Sequence, residues 1–377
     1  MRRRILSILL PILLPLSVLA YDFQAGHLFY NILDPIQRQV EVTYEDPYQA
    51  NLYARLRTVT IPAKVKKDSV EYTVIGIGET AFHNCPKLRR VRLPKTLQYI
   101  DSAACAEMLS LDSLTLPYGL QRISDAAFYH CPSLSYIDIP STVDSIGHNV
   151  FRYCRLLRRI FVDPDNPRYD SRGNCNGVCL TDSDRLIATC SRTTFPFDLR
   201  QVGDLAFAYS PYLRKAILPD SVREIGYAAF AGCDVLDTVY FPPKVNTLGE
   251  WAFYGCQRLK HITLPDSITC IPFSCFAECN DLREITTPIT VDSLAERAFY
   301  FSGIREADLR GVRYIGVSCF SGCRFLHTIT LSPAFETLAP TALENCNALK
   351  RIYIPIGQRK RIQKLLPEKY HKIIFER

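Results

Sequence analysis

The sequence predicts an α/β repeat solenoid of 23-residue units, with one long parallel β-sheet face and short helical or irregular turns on the opposite wall. Three observations carry this. The pattern I-G-x-x-A-F-x-x-C-x-x-L-x-x-I-x-L-P-x-x-V recurs in eleven units, beginning at Ile77, Ile100, Ile123, Ile146, Val202, Ile225, Leu248, Ile271, Leu294, Ile315 and Leu338. Eight of the ten intervals are 23 residues, the exceptions being 56 and 21, and a fixed period of this size marks stacked units that share one core. One slot holds Phe in nine units, from Phe82 to Phe320, and no single unit buries such a ring without a neighbour on each side. The composition, 47% hydrophobic and 22% charged, supplies that core and excludes a disordered chain.

The elements follow in chain order. Residues 1–20 open with Arg2-Arg3-Arg4 and continue as an apolar run, interrupted by Pro11 and Pro15, that ends at Ala20. This is the form of a secretory signal peptide cleaved before Tyr21, and the run is too short for a permanent span. The mature chain is expected to be exported, whether secreted, periplasmic or at the cell surface, with no membrane span. Residues 77–357 are the solenoid. In each unit the period-2 stretch, such as Ile137-Asp138-Ile139-Pro140, reads as a short strand closed by Pro. The A-F-x-x-C-x-x-L stretch has near-helical spacing and room for a turn or two. The interval of 56 is one period plus an insertion, residues 163–201. Residues 358–377 hold seven Lys or Arg against Glu368 and Glu376, so a basic C-terminal cap carries most of the chain's net charge beyond residue 20.

The pattern resembles the BspA-like family, the treponemal class of leucine-rich repeats found in secreted and surface proteins of bacteria. The lead-in YNILDPIQRQVEVTYEDPYQ, with RTVTIPAKVKKDSVEYTVIGIG, is similar to the family's N-terminal β cap, which places such a cap over residues 21–76. The motif Asn166-Pro167-Arg168-Tyr169-Asp170-Ser171 and the closing IYIPIGQRKRIQKLLPEKYHKIIFE are similar to its insertion and terminal segments. The resemblance implies a leucine-rich-repeat solenoid and a surface-facing, adhesin-like binding module. It brings no catalytic residues.

Chemistry-bearing motifs are few. Gly76-Ile77-Gly78-Glu79-Thr80-Ala81 has the spacing of a dinucleotide-binding turn, but the lines that follow repeat the unit instead of completing a βαβ fold. Fifteen cysteines suggest disulfides in an exported chain. Eight of them share one repeat slot, where parallel side chains suit packed thiols better than bridges. Cys175, Cys179 and Cys190 lie in the insertion, where a pair can bridge or remain free. The acidic runs Asp163-Pro164-Asp165-Asn166 and Asp182-Ser183-Asp184 lack the calcium-loop pattern and suit turns equally well. No spacing assembles a nucleophile with a base or a metal-ligand set, so neither enzymatic activity nor a cofactor or metal is expected.

Outward residues of the strands form two columns. One runs Arg90, Ser113, Tyr136, Arg159, Lys215, Thr238, His261, Glu284, Glu306, Thr328, Arg351; the other Arg92, Thr115, Asp138, Phe161, Ile217, Tyr240, Thr263, Thr286, Asp308, Thr330, Tyr353. Tyr136, Arg159, Phe161, Ile217, Tyr240 and His261 are the candidate ligand-binding residues, and they suit an extended protein or glycan. Cross-strand packing, or cover by the insertion, accounts for the apolar members equally well. A second reading makes the chain an envelope-assembly protein docking on anionic polymer through Arg359, Lys360, Arg361 and Lys364. Nucleic acid is not an expected partner, and the oligomeric state is left open.

Overall fold

Each unit contributes two short strands and one irregular wall. The computed structural model describes residues 21–45 and 52–377; the expected signal peptide, residues 1–20, lies outside the described residues. The period-2 stretch forms the face read from the sequence: Tyr136–Ile139 pairs in parallel with Arg159–Val162, and Glu284–Thr286 is followed by Glu306–Leu309, Thr328–Leu331 and Arg351–Ile354. The face runs in segments. Single bridges Arg90 to Ser113 and Thr238 to His261 mark where pairing thins, and the insertion divides it after Val162.

A second ladder accompanies this face. The first residues of each unit are extended for two positions, as in Tyr99–Ile100, Arg122–Ile123 and Ser145–Ile146, and they pair in parallel. Two residues are too few for an alternating pattern to register, so the sequence shows only one ladder.

The opposite wall is a chain of turns in which the near-helical spacing never becomes a helix. In ten of the eleven units two residues sit in the left-handed region, for example Ala126 (φ 55°) and His130 (φ 54°), which interrupts any α-helix. Their N–H groups point along the solenoid instead. Ala126, Phe128 and His130 donate to the carbonyls of His148, Val150 and Arg152 in the next unit at 2.8, 3.1 and 2.8 Å. In the short unit beginning at Leu294 two loops lose a residue each and draw closer to the preceding unit. A Cβ on Gly303 would meet Asn280 O at 1.9 Å and one on Gly311 would meet Ile289 O at 2.2 Å, so both tightened loops require glycine.

Inside, the Phe slot forms a column of near-parallel rings. From Phe207 through Phe230, Phe253, Phe276 and Phe299 to Phe320 the centroids are 5.2–5.6 Å apart. The repeat-slot cysteines are free thiols that donate to Phe-slot carbonyls of the preceding unit: Cys256 to Phe230 O at 3.2 Å, Cys279 to Phe253 O at 3.1 Å, Cys346 to Phe320 O at 3.1 Å. A small apolar side chain with one weak donor fits a tight slot that ends on a carbonyl.

Both ends are closed. Antiparallel strands Phe23–Ala25, Leu28–Asp34 and Gln39–Thr43 lead into Val70–Ile77, which opens the second ladder, while Thr58–Thr60 opens the face by pairing with Arg90–Arg92. Buried Tyr53 closes the Phe column: its ring lies 5.0 Å from that of Phe82, and its hydroxyl donates to Thr43 O and accepts from Phe29 N, both at 2.8 Å. At the other end the helix Arg359–Leu365 buries Ile362, and Ile374–Glu376 adds a last strand beside Arg351–Ile354.

The insertion is a septum. Gly177–Leu180 and Arg185–Thr189 form an antiparallel hairpin, and the second of these strands pairs in parallel with Gln201–Val202, supplying a rung to the second ladder. A bulge leaves Ile187 over while Cys179 faces Leu186 and Val178 faces Ala188. It sends the two pairs to opposite sides. Cys175, Cys179 and Leu186 pack into the C-terminal core, and Tyr169, Val178 and Ala188 into the N-terminal one. The Asn166 side chain holds the septum in place, donating to the carbonyls of Pro140 and Val143 and accepting from the N–H groups of Arg168 and Tyr169, all at 2.8–2.9 Å.

Two outcomes are expected. Phe253→Ala, in the middle of the ring column, lowers stability by about 3–5 kcal/mol in denaturant unfolding, whereas exposed Tyr227→Ala changes it by less than about 0.5 kcal/mol; equal effects would refute the column's role. Burial pushes the thiols of Cys233, Cys279 and Cys323 up to about 12. Since the thiolate is the reactive form, a thiol reagent at about pH 8 modifies exposed Cys270 rapidly and reaches the repeat-slot thiols only after denaturation. Rapid modification of the slot cysteines in the native protein would contradict the ladder.

Candidate functional site: the sheet face

Strand pairing brings the face columns together in register. Tyr136 lies beside Arg159, Asp138 beside Phe161, Lys215 beside Thr238 and Ile217 beside Tyr240. His261 follows Thr238 through a single bridge and is exposed. The apolar members are open to solvent: Ile217 is 63% exposed, Tyr240 57%, Tyr136 42% and Phe161 36%. The insertion therefore does not cover them, although its septum separates Phe161 from Ile217. Arg159 lies 5.2 Å over the Phe161 ring and 3.3 Å from the Asp138 carboxylate, which holds both side chains in place.

The ends of the face differ in charge. Near the N-terminus a groove of about 590 Å³ has an apolar floor of Val91, Leu93 and Leu116 and a rim of Arg90, Arg92 and Lys95. Near the C-terminus a groove of about 300 Å³ carries Glu284, Glu306 and Asp308 together with Arg351, Thr286, Thr330 and Tyr353. Arg377 reaches into this groove, 4.0 Å over the Tyr353 ring and hydrogen-bonded to Thr330 Oγ1 at 2.7 Å. The final strand thus adds Phe375 and Arg377 to the face. Sequence reasoning placed them in the terminal cap because no repeat signature precedes Ile374.

The other candidates have structural partners. Arg361 donates to Phe335 O at 2.6 Å and Pro333 O at 2.9 Å, and Arg359 donates to Ile374 O at 2.7 Å. These guanidinium groups bind the terminal segment to the last units, although Arg361 is exposed along with Lys360 and Lys364 of the expected patch. Cys175, Cys179 and Cys190 are free thiols, with no disulfide among them. The proximity of the Cys179 thiol lowers the Cys175 pKa, and the same contact, with burial, raises that of Cys179. Asp184 pairs with Arg172 and Arg200, and Asp163 accepts a hydrogen bond from the Tyr118 hydroxyl at 3.0 Å.

The glycine pair has no room for phosphate. The space beside Gly76 is filled by the Tyr99 ring and that beside Gly78 by the Glu41 carboxylate, and Tyr99 donates to Glu41 at 2.7 Å. Burial raises the Glu41 pKa against the opposing effect of this bond. Among the described residues no helix is long and apolar enough to cross a membrane.

A family model described as BspA type leucine rich repeat region matches residues 75–171, 200–311 and 309–366, in six copies. Solved structures with TM-scores of 0.50 and above show the same fold at low identity. The pneumococcal vaccine antigen PcpA is 17% identical, with 94% of this chain and 96% of that chain covered and a TM-score of 0.56. A leucine-rich repeat protein from Eubacterium ventriosum is also 17% identical, over 87% and 82% of the two chains, with a TM-score of 0.50. A leucine rich cell surface protein from Faecalibacterium prausnitzii is 21% identical over 91% and 97%, with a TM-score of 0.47. No curated relative matches the sequence.

The C-terminal geometry separates structure from docking. Arg361→Ala is expected to lower stability by about 1 kcal/mol through its lost carbonyl partners, and Lys360→Ala with Lys364→Ala to leave it unchanged. Denaturant midpoints measure both, and an Arg361 variant as stable as the parent would argue against the anchoring role.

Proposed function

We propose, for a chain that belongs to the BspA type leucine rich repeat family, an exported, surface-facing binding role without catalysis. The sheet face recognises an extracellular macromolecule, a protein or a glycan, in the manner of an adhesin. The observation that carries this reading is the exposure of Tyr136, Phe161, Ile217 and Tyr240 on regular strands, where solvation of apolar rings gives the fold nothing. Large amphipathic rings fixed on a rigid sheet lose little entropy on contact and are the residue types that dominate binding energy. The change from a basic, apolar groove to one that mixes three carboxylates with two guanidinium groups supports an extended partner lying across several units, oriented by its own charge. The two grooves on this face are open, which suits a macromolecule better than a small metabolite. The docking role of the basic C-terminal segment has less support, because Arg359 and Arg361 use their hydrogen bonds internally.

The experiment is binding of the purified chain to immobilised extracellular-matrix proteins and surface glycans, beside Tyr136→Ala/Tyr240→Ala and Lys360→Ala/Lys364→Ala variants. The tyrosine pair is expected to weaken binding by about tenfold or more, as loss of a hot spot does, and the lysine pair to act only through salt-dependent attraction. Binding that survives the tyrosine substitutions would overturn the assignment of the face.

A further inference from the structure

The wall opposite the sheet is broken at one place. At the junctions flanking the insertion, N–H groups of one unit meet carbonyls of the next: Ala126, Phe128 and His130 on one side, and Leu205, Phe207 and Tyr209, donating to Tyr227, Ala229 and Ala231, on the other. Between the units beginning at Ile146 and Val202 the septum intervenes. The N–H groups of Asn149, Phe151 and Tyr153, which by the repeat point toward the next unit, have no acceptor among the described residues. Across the gap the carbonyls of Asp204 and Ala208 have no donor, while Ala206 O is taken by Thr189 Oγ1 at 2.5 Å.

A cavity of about 60 Å³ fills this gap. Its rim holds the Arg152 guanidinium, 3.9 Å over the Tyr209 ring and 5.1 Å from that of Tyr153. Arg152 makes no ion pair or side-chain hydrogen bond among the described residues, and its Nε is buried without a partner. Stacking holds the planar group while its N–H edge stays available. The lining contains a second cation, Arg155, and no carboxylate. Buried donors without acceptors cost roughly 1–3 kcal/mol each, so a cavity that collects them favours an acceptor-rich occupant. At roughly 10–15 Å³ per water-sized centre, the space of about 60 Å³ matches an anionic group of about four to six heavy atoms.

We propose that this cavity binds a small oxyanion, a carboxylate or a tetrahedral phosphate or sulfate, through the Arg152 guanidinium and the N–H groups of Asn149, Phe151 and Tyr153. Asn149 Oδ1 is also unpartnered, and rotation of this amide presents its NH2 group to the anion. The Ala208 carbonyl, in the lining, accepts from bridging water or from the protonated oxygen of hydrogen phosphate. The site lies on the wall away from the sheet face and is independent of the reading given to that face.

The test is calorimetric titration of the purified chain with inorganic phosphate, sulfate and acetate at constant ionic strength. At least one anion is expected to bind saturably, with affinity about tenfold or more lower in Arg152→Gln and unchanged in Arg324→Gln, a cation stacked elsewhere on the wall. Preference for phosphate and sulfate identifies a tetrahedral ligand, and preference for acetate a carboxylate. Because Arg152→Gln also loosens the stack, crystals of the unaltered protein soaked in selenate give a second readout, an anomalous peak in the cavity. Absence of saturable binding by all three anions, or equal binding by Arg152→Gln, would overturn the proposal, as would selenate density only outside the cavity where titration shows preference for phosphate or sulfate.

Discussion

Every unit of this protein depends on the backbone bonds it makes to the units before and after it. The wall turns place N–H groups along the solenoid axis, and the two strand ladders do the same, so that beyond a few turn bonds such as Tyr129 N to Ala126 O a unit's polar backbone is satisfied by its neighbours. That requirement explains why the period is held at 23 residues with so few exceptions. A residue added or lost shifts every donor away from its acceptor, and where two are lost, Gly303 and Gly311 close the distance.

Side-chain chemistry follows from the same constraint. Rungs a strand-spacing apart put like side chains in contact, so one slot becomes a column of Phe rings and another a column of thiols. The eight slot thiols are retained as small additional donors to carbonyls of the turns, and all fifteen cysteines are free in the structure. At the ends the constraint has to be relieved by chain outside the repeat. Tyr53 does so at the N-terminus with a hydroxyl bonded on both sides; Arg361 does so at the C-terminus with a guanidinium on two carbonyls. Outward side chains are exempt from all of this, which is why the face is where the chain varies in charge and aromaticity.

The fold was legible because its signal is repeated: Phe82 alone means little, whereas nine rings at one slot specify a column. The columns of the face were legible for the same reason, since alternation about Ile137 or Ile329 assigns their neighbours outward. The second ladder was not, because Tyr99–Ile100 and its counterparts are too short to alternate. The near-helical spacing of the wall was misleading in one respect: periodicity records which residues turn inward, and it is silent on the left-handed residues that keep the segment from being a helix. The cavity at Arg152 was out of reach for a different reason. Its donors are backbone groups common to every unit, and only the 56-residue interval hinted that here they lack a neighbour.

The bulge at Ile187 has a consequence for how the molecule comes apart. In an unbroken solenoid, loosening that starts at one end travels unit by unit, because each neighbour lost weakens the next. Here the column of rings stops at Phe151 and resumes at Phe207, and the hairpin turns one side to each half. Each half therefore keeps the septum against its apolar core when the other opens, although the wall turns make no bonds across that junction. The chain is expected to unfold as two cooperative blocks joined through a shared partition.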